Sequence, residues 1–477
     1  MTKYFALLAA VASLAAAQSK MDHVLMVSAD GLHAVDVARY VQAKPQSTLA
    51  QLSRRGVTYT NAATPLPNST PGMLALMTGG TPNATGAIYS ESYDRSLSPP
   101  NSDCSKKGTI VVYNEGVSID PDAEDSGGGV DPKKLPRDPA HGCALVYPHQ
   151  WLRVNTVFEV VKKSGGRTAW IDQFPAFCDF VKGPSGTGLD DEFAPNSHTP
   201  GVKASVAATI RQDDLRMKAL LNQLAGKDHT GAKVIGVPTL FGVTLIAVNV
   251  AQKLAGYADG DATPTAGLNE GMDYLDRQLG KMVEALKAKK LYDSTMIVLT
   301  AKHGNSPIDV SKKRIVSEPE FCGQIDQVQK GLLAQCVVDT VAVIWLTDQS
   351  KTADVVARLH ANQEKFGIHK IYSGETLKLR WNDPKVDPRT PDIIVQPLLG
   401  VMYGNPESPK LAEHGGFFDE DTNVALLVSW PGGKGKIVNT PVQTTQVAPT
   451  VLKALGLDPA SLKAVHVERT AVLPGIQ

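Results

Sequence analysis

The residues in this chain best suited to chemistry are Ser69, Asp30, His303 and His414. Ser69 opens the segment 68–80 (NSTPGMLALMTGG), where an apolar run follows the hydroxyl directly. Asp30 closes the apolar run HVLMVS, and His303 and His414 each precede a glycine far downstream. A hydroxyl nucleophile, one carboxylate and two imidazoles are what a metal-assisted hydrolase draws together. The unreactive alternative for Ser69 is an N-cap, with Pro71 in the first helical turn.

These side chains need elements to hold them. The runs 23–28 (HVLMVS) and 295–300 (TMIVLT) read as buried strands, which places Asp30 and His303 at carboxyl ends. Residues 239–250 (TLFGVTLIAVNV) read as another strand, and 269–289 as an amphipathic helix. Helices are also expected over 34–54, 151–163 and 445–455, and strands over 168–171 and 424–428. The alternation predicts an α/β fold with a mainly parallel sheet covered on both faces. Ligands of such sheets bind beyond the carboxyl ends of the strands. Residues 100–142, rich in Pro, Gly, Ser and Asp, read as a surface loop, and so does the Gly-rich 183–190, which lacks a P-loop ending.

Lys+Arg and Asp+Glu both total 48, so no net basic charge argues for a nucleic-acid or anionic-membrane partner. Lys3, the apolar stretch from Phe5 to Leu14 and the small residues Ala15 to Ala17 read as a secretory signal peptide over 1–17. The mature protein is therefore expected to be secreted, with no membrane span. Secretion permits disulfides, and the five cysteines are expected to pair Cys104–Cys143 and Cys322–Cys336, leaving Cys178 free. Of two glycosylation sequons, Asn83 is the expected acceptor, because Asn68 adjoins the nucleophile.

The chain resembles the alkaline phosphatase superfamily, in particular its type I phosphodiesterase/nucleotide pyrophosphatase branch. The resemblance rests on VSADG (27–31), STPGMLALMTGG (69–80), GAIYSESYD (86–94), LTAKHG (299–304), EHGG (413–416) and QVAPTVLKALGLDP (446–459). It implies a three-layer alkaline-phosphatase-like fold. Because the chain changes character beyond His303, with a Cys pair, the run VAVIWL and a helix near 352–365, residues 311–390 read as a small inserted cap subdomain and 18–310 with 391–477 as the catalytic domain. The resemblance maps the nucleophile onto Ser69 and metal ligands onto Asp30, His303 and His414, with Ser69 as a further metal contact. His33, three residues after Asp30, and Asp309, close after HGNSPI, are the ligands a reduced site could recruit. One or two divalent ions are implied, zinc first, with manganese or calcium as alternatives. Expected substrate contacts are Ser90, Thr70 and Lys253.

The chain also departs from that pattern. Lys302 stands where the family has a metal-binding Asp, and 249–253 (NVAQK) lacks the family's Asp and His four residues apart. Ser90 replaces an Asn that binds the phosphoryl oxygen. A lysine beside a cation costs Coulomb energy unless it replaces that cation. A reduced site is therefore expected, with Lys302 or Lys253 supplying charge in place of one ion and Lys302 assisting catalysis. The implied function is secreted hydrolysis of a small-molecule phosphoric ester, in particular a diester. A catalytically silent binding protein and a sulfate or phosphonate ester hydrolase remain as alternatives.

Overall fold

A computed structural model of the 477-residue chain describes residues 20–123, 128–196 and 201–476. The expected signal segment 1–17 lies outside the described residues. In chain order, the main sheet takes β1 (His23–Ala29), β2 (Gly56–Ala63), β3 (Thr168–Ile171), β4 (Asp191–Phe193), β5 (Leu240–Leu245) and β6 (Thr295–Thr300). Strands β7 (Leu333–Val338), β8 (Ala342–Leu346), β9 (Ile368–Ser373) and β10 (Ile393–Pro397) form a separate sheet. The chain then returns to the main sheet as β11 (Asn423–Ser429), β12 (Lys436–Val438) and β13 (Val442–Gln443).

The main sheet runs β12-β2-β11-β6-β1-β5-β3-β4, with β13 also on β2. It is parallel from β6 through β4, and β11 is antiparallel to both of its neighbours. Period-two alternation explains why it is sandwiched. Val24 and Met26 of β1, with Met296 and Val298 of β6, join one apolar cluster, while Leu25, Val27, Ile297 and Leu299 join the other. The first face is covered by α1 (Ser69–Thr78), α2 (Pro175–Val181) and the late helix Val447–Ala454. The second is covered by Ala34–Ala43, Val206–Leu224, Ala247–Leu254 and Ala266–Ala288. The expected three layers and mainly parallel sheet are therefore present.

Three local expectations need correction. Residues 151–163 are not one helix: Trp151 ends the short helix Pro148–Trp151, and the next helix runs Val157–Lys163 with Thr156 as its N-cap. Residues 239–250 are not one strand: β5 stops at Leu245, and Ala247–Leu254, here α3, begins at once. The unbroken apolar run hid the boundary, because both elements are buried. Residues 34–54 form two helices, Ala34–Ala43 and Thr48–Arg54, separated around Pro45.

The β7–β10 sheet is antiparallel throughout, in the order β7-β8-β10-β9. Its apolar cluster runs from Val316 to Tyr403, and Arg314–Ser317 pairs with Val401–Gly404. The packing of this cap thus spans about 314–404, a wider stretch than 311–390, because β10 is one of its two central strands. Cys322–Cys336 ties a cap helix to β7, and Cys104–Cys143 closes the long loop; Cys178 is free and buried. No helix among the described residues is long and apolar enough to cross a membrane.

Candidate active site

The carboxyl ends of β1, β3 and β5 converge on one polar cleft of about 380 Å³. Asp30, Ser69, Ser90, Gln173, Asn249, Lys253, Glu413 and His414 line it, and Asp339 in the turn after β7 lines its cap side. Ser69 is the first residue of α1 and is half-buried. The helix cap is unusual: Asn68 does not cap with its side chain. Its Oδ1 instead accepts from the Ser90 amide at 3.0 Å and the Ser90 hydroxyl at 2.7 Å. Ser90 Oγ in turn accepts from the Thr70 amide and hydroxyl, at 3.3 and 3.0 Å. Thr70 and Ser90 thus brace the helix start on which Ser69 sits, where a helix N-terminus favours an anion.

The contact between α1 and the loop after β6 is equally close. A Cβ on Gly72 would fall 2.1 Å from the Lys302 carbonyl oxygen, so only glycine lets the helix approach that main chain. Gly415 plays a similar part beside His414. Its φ is +130°, and a Cβ there would meet the Tyr89 hydroxyl at 1.8 Å.

Lys302 points into the fold, not outward. Its ammonium is fully buried, 3.1 Å from Asp30 Oδ2 and 3.5 Å from Asp172 Oδ1. It lies 5.0 Å from the Phe177 ring centroid and makes no directionally sound hydrogen bond, so the contact is a pairing of charges. Gln173 Nε2 donates to Asp30 Oδ2 at 2.6 Å, and Ser28 Oγ donates to Oδ1 at 3.2 Å. Asp172 accepts from the Trp170 indole and from Thr244.

Lys253 organises the other side of the cleft. It lies one turn after Asn249 on α3, so both face the same way. Its ammonium donates to Glu413 Oε2 at 2.6 Å, and Lys410 pairs with the other oxygen. Burial works against the Glu413 carboxylate, but Lys253 and Lys410 outweigh it and hold its pKa well below the usual range. Burial, with Glu413 adding, pushes the neighbouring Asp339 carboxyl well above its usual range. The His303 and His414 rings stack with centroids 3.6 Å apart. Burial, followed by the charge on Lys253, pushes His303 down to about 3. Burial, His303 and Lys253 push His414 well below its usual value. Both imidazoles are neutral at pH 7.

The structure does not bring His33 or Asp309 to this cleft. His33 is buried in a separate network, contacting the Tyr257 hydroxyl at 2.8 Å and the Glu420 carbonyl at 2.8 Å. Asp309 caps a short surface turn through Ser311. Asn83 is half-buried; its Nδ2 donates to the Arg380 carbonyl at 2.9 Å, and its Oδ1 accepts from the Asn382 amide. Asp172, Gln173, Asn68 and Glu413 were not expected. Asp172 carried a usable signal, because it directly follows the buried run TAWI.

Residues 24–419 match the family described as Type I phosphodiesterase / nucleotide pyrophosphatase. The chain belongs to that family. Among solved structures it is similar to a mutant of alkaline phosphatase PafA, at 14% identity and TM-score 0.63, covering 92% of this chain and 96% of that one. It is also similar to murine ectonucleotide pyrophosphatase / phosphodiesterase 5, at 15% identity and TM-score 0.59, with 92% and 96% coverage. The human counterpart aligns at 16% identity and TM-score 0.58, covering 91% and 95%. No curated protein matches the sequence.

Members of this family use divalent metals, typically zinc. The residues present here do not fit one. Among the described residues, no three His, Cys, Asp or Glu side chains gather as a metal site requires. Asp30 meets an ammonium where a further carboxylate would be needed. A divalent ion 4 Å from an ammonium meets about 8 kcal/mol of repulsion at an effective dielectric near 20, twice the value for unit charges.

Proposed function

We propose that the chain is a secreted phosphoric ester hydrolase acting on a diester, with Ser69 as its nucleophile. The observation that carries this reading is the seating of Ser69 at the start of α1, in one polar cleft with Lys253 and the Ser90–Asn68–Thr70 brace. Ser69 Oγ would attack phosphorus in line and expel the ester oxygen, which leaves with a proton. Water would then attack the phosphorus of this seryl phosphodiester, releasing the phosphate monoester and returning a proton to the Ser69 oxygen. Lys253 and the amino end of α1 would steady the charge on the transferred group. The two disulfides are consistent with an oxidising compartment.

A second reading is phosphoester binding without turnover. The neutral His303–His414 pair favours it, together with an ammonium at Lys302 already held by two carboxylates.

Hydrolysis of an aryl phosphodiester by the purified chain separates the readings. Turnover in wild type but not in S69A supports the hydrolase. No turnover, with a ligand-dependent rise in melting temperature, supports the binding protein. Preferential cleavage of an aryl sulfate or phosphonate would reassign the bond.

A further inference from the structure

We infer that this site carries its positive charge covalently: Lys302 and Lys253 are its resident cations, and no divalent ion is bound there. The Lys302 ammonium has the surroundings of a bound ion more than those of a hydrogen-bond donor. It is fully buried between two carboxylates at 3.1 and 3.5 Å, with an aromatic face on a third side and no directional hydrogen bond. Its position is fixed by main chain, since its carbonyl abuts Gly72 and the next carbonyl, of His303, accepts from the Gly31 amide at 3.0 Å.

The second cation repeats the pattern. Lys253 faces Glu413 at 2.6 Å, and His414 Nε2 lies 3.9 Å from the same carboxylate oxygen. Each ammonium thus occupies the carboxylate that an incoming ion would need as its anchor. An ion at Asp30 would face the buried Lys302 ammonium, which Asp172 also holds in place, and an ion at Glu413 would have to displace Lys253 from its carboxylate partner, which makes stoichiometric occupancy unfavourable. The inference does not depend on hydrolysis, because ion content and unfolding are its readouts.

The test uses the tag-free mature chain, dialysed against EDTA and then titrated with zinc chloride and manganese chloride by calorimetry. Elemental analysis and thermal unfolding are run in parallel. Wild type is expected to bind neither ion stoichiometrically, and its melting temperature should be the same in EDTA and in zinc. One or two tightly bound ions per chain, with a melting temperature that falls in EDTA, would overturn the inference.

K302D supplies the reciprocal arm, because it replaces the ammonium with a third carboxylate beside Asp30 and Asp172. It should gain one zinc per chain and depend on it, melting higher in zinc than in EDTA. A folded K302D that binds no more zinc than wild type would also overturn the inference. Should K302D fail to fold even in zinc, the wild-type titration decides alone.

Discussion

His303 and His414 lie ring against ring, 3.6 Å between centroids, although one follows a core strand and the other precedes the return from the cap. Such a stack suits two neutral imidazoles, since two charged rings at that distance would repel. The fold therefore selects a protonation state here as well as a shape.

That selection predicts an acid limb. The folded-state pKa of His303 is depressed, from 6.5 to about 3. A depressed value means that folding favours the neutral ring. The contribution is thus fully present above pH 6.5 and is lost as pH falls toward 3. Across that window it amounts to roughly 5 kcal/mol at about 1.36 kcal/mol per unit, as an order of magnitude. Urea unfolding across pH 3–7 should show this slope, and H303L should flatten it. An equally steep limb in H303L would refute the assignment.

Asp421 should act in the opposite sense. Its carboxylate accepts from Ser306 Oγ at 2.8 Å, Thr340 Oγ1 at 2.6 Å and the Gly416 amide at 3.2 Å, joining the site loops to the cap. Burial raises it to about 6 in spite of these donors. A raised pKa contributes stability that is present below the unfolded value and is lost as pH rises through 6. The difference in stability between wild type and D421N should therefore move against wild type by about 3 kcal/mol between pH 4 and 6. A difference that is flat across this range would count against it.

S69A should leave folding untouched, because Ser69 is half-buried and lines the cleft, not the packed core. If Ser69 is the nucleophile, the aryl-diester rate should drop at least 1,000-fold, as removal of an attacking group commonly does, while the melting temperature stays within about 2 °C. Activity retained within a few-fold would sink that role.

The cap staple offers a stability prediction. Cys322–Cys336 spans 14 residues, and closing a loop of that size is worth about 3 kcal/mol in the chain-entropy account. The double variant C322A/C336A should lose stability of that order in denaturant. A loss below about 0.5 kcal/mol would mean that packing around Phe321 and Ile325 already holds the segment.

The legible parts of the molecule were those in which one residue type sits at the end of one strongly patterned element. Asp30 after HVLMVS, His303 after TMIVLT and Ser69 before an apolar helix are of this kind. The three layers followed from the same alternation. Lys302 could be read as an oddity, but its destination could not, because its partners Asp30 and Asp172 arrive on other strands. The α3 boundary was hidden because β5 and the helix are both buried, so nothing polar marks the passage from Leu245 to Ala247. His33 was misjudged by proximity: three residues past Asp30 the chain has already turned toward Tyr257 and Asp36.

Gly72 has a wider consequence. It holds α1 against the carbonyl of residue 302, so the spacing between the Ser69 helix and that position is set by backbone meeting backbone. Such a seat does not depend on which side chain occupies it. An ammonium or a carboxylate can be carried there on the same scaffold, and the chemistry of the cleft can be rewritten at residue 302 without redesigning the frame around it.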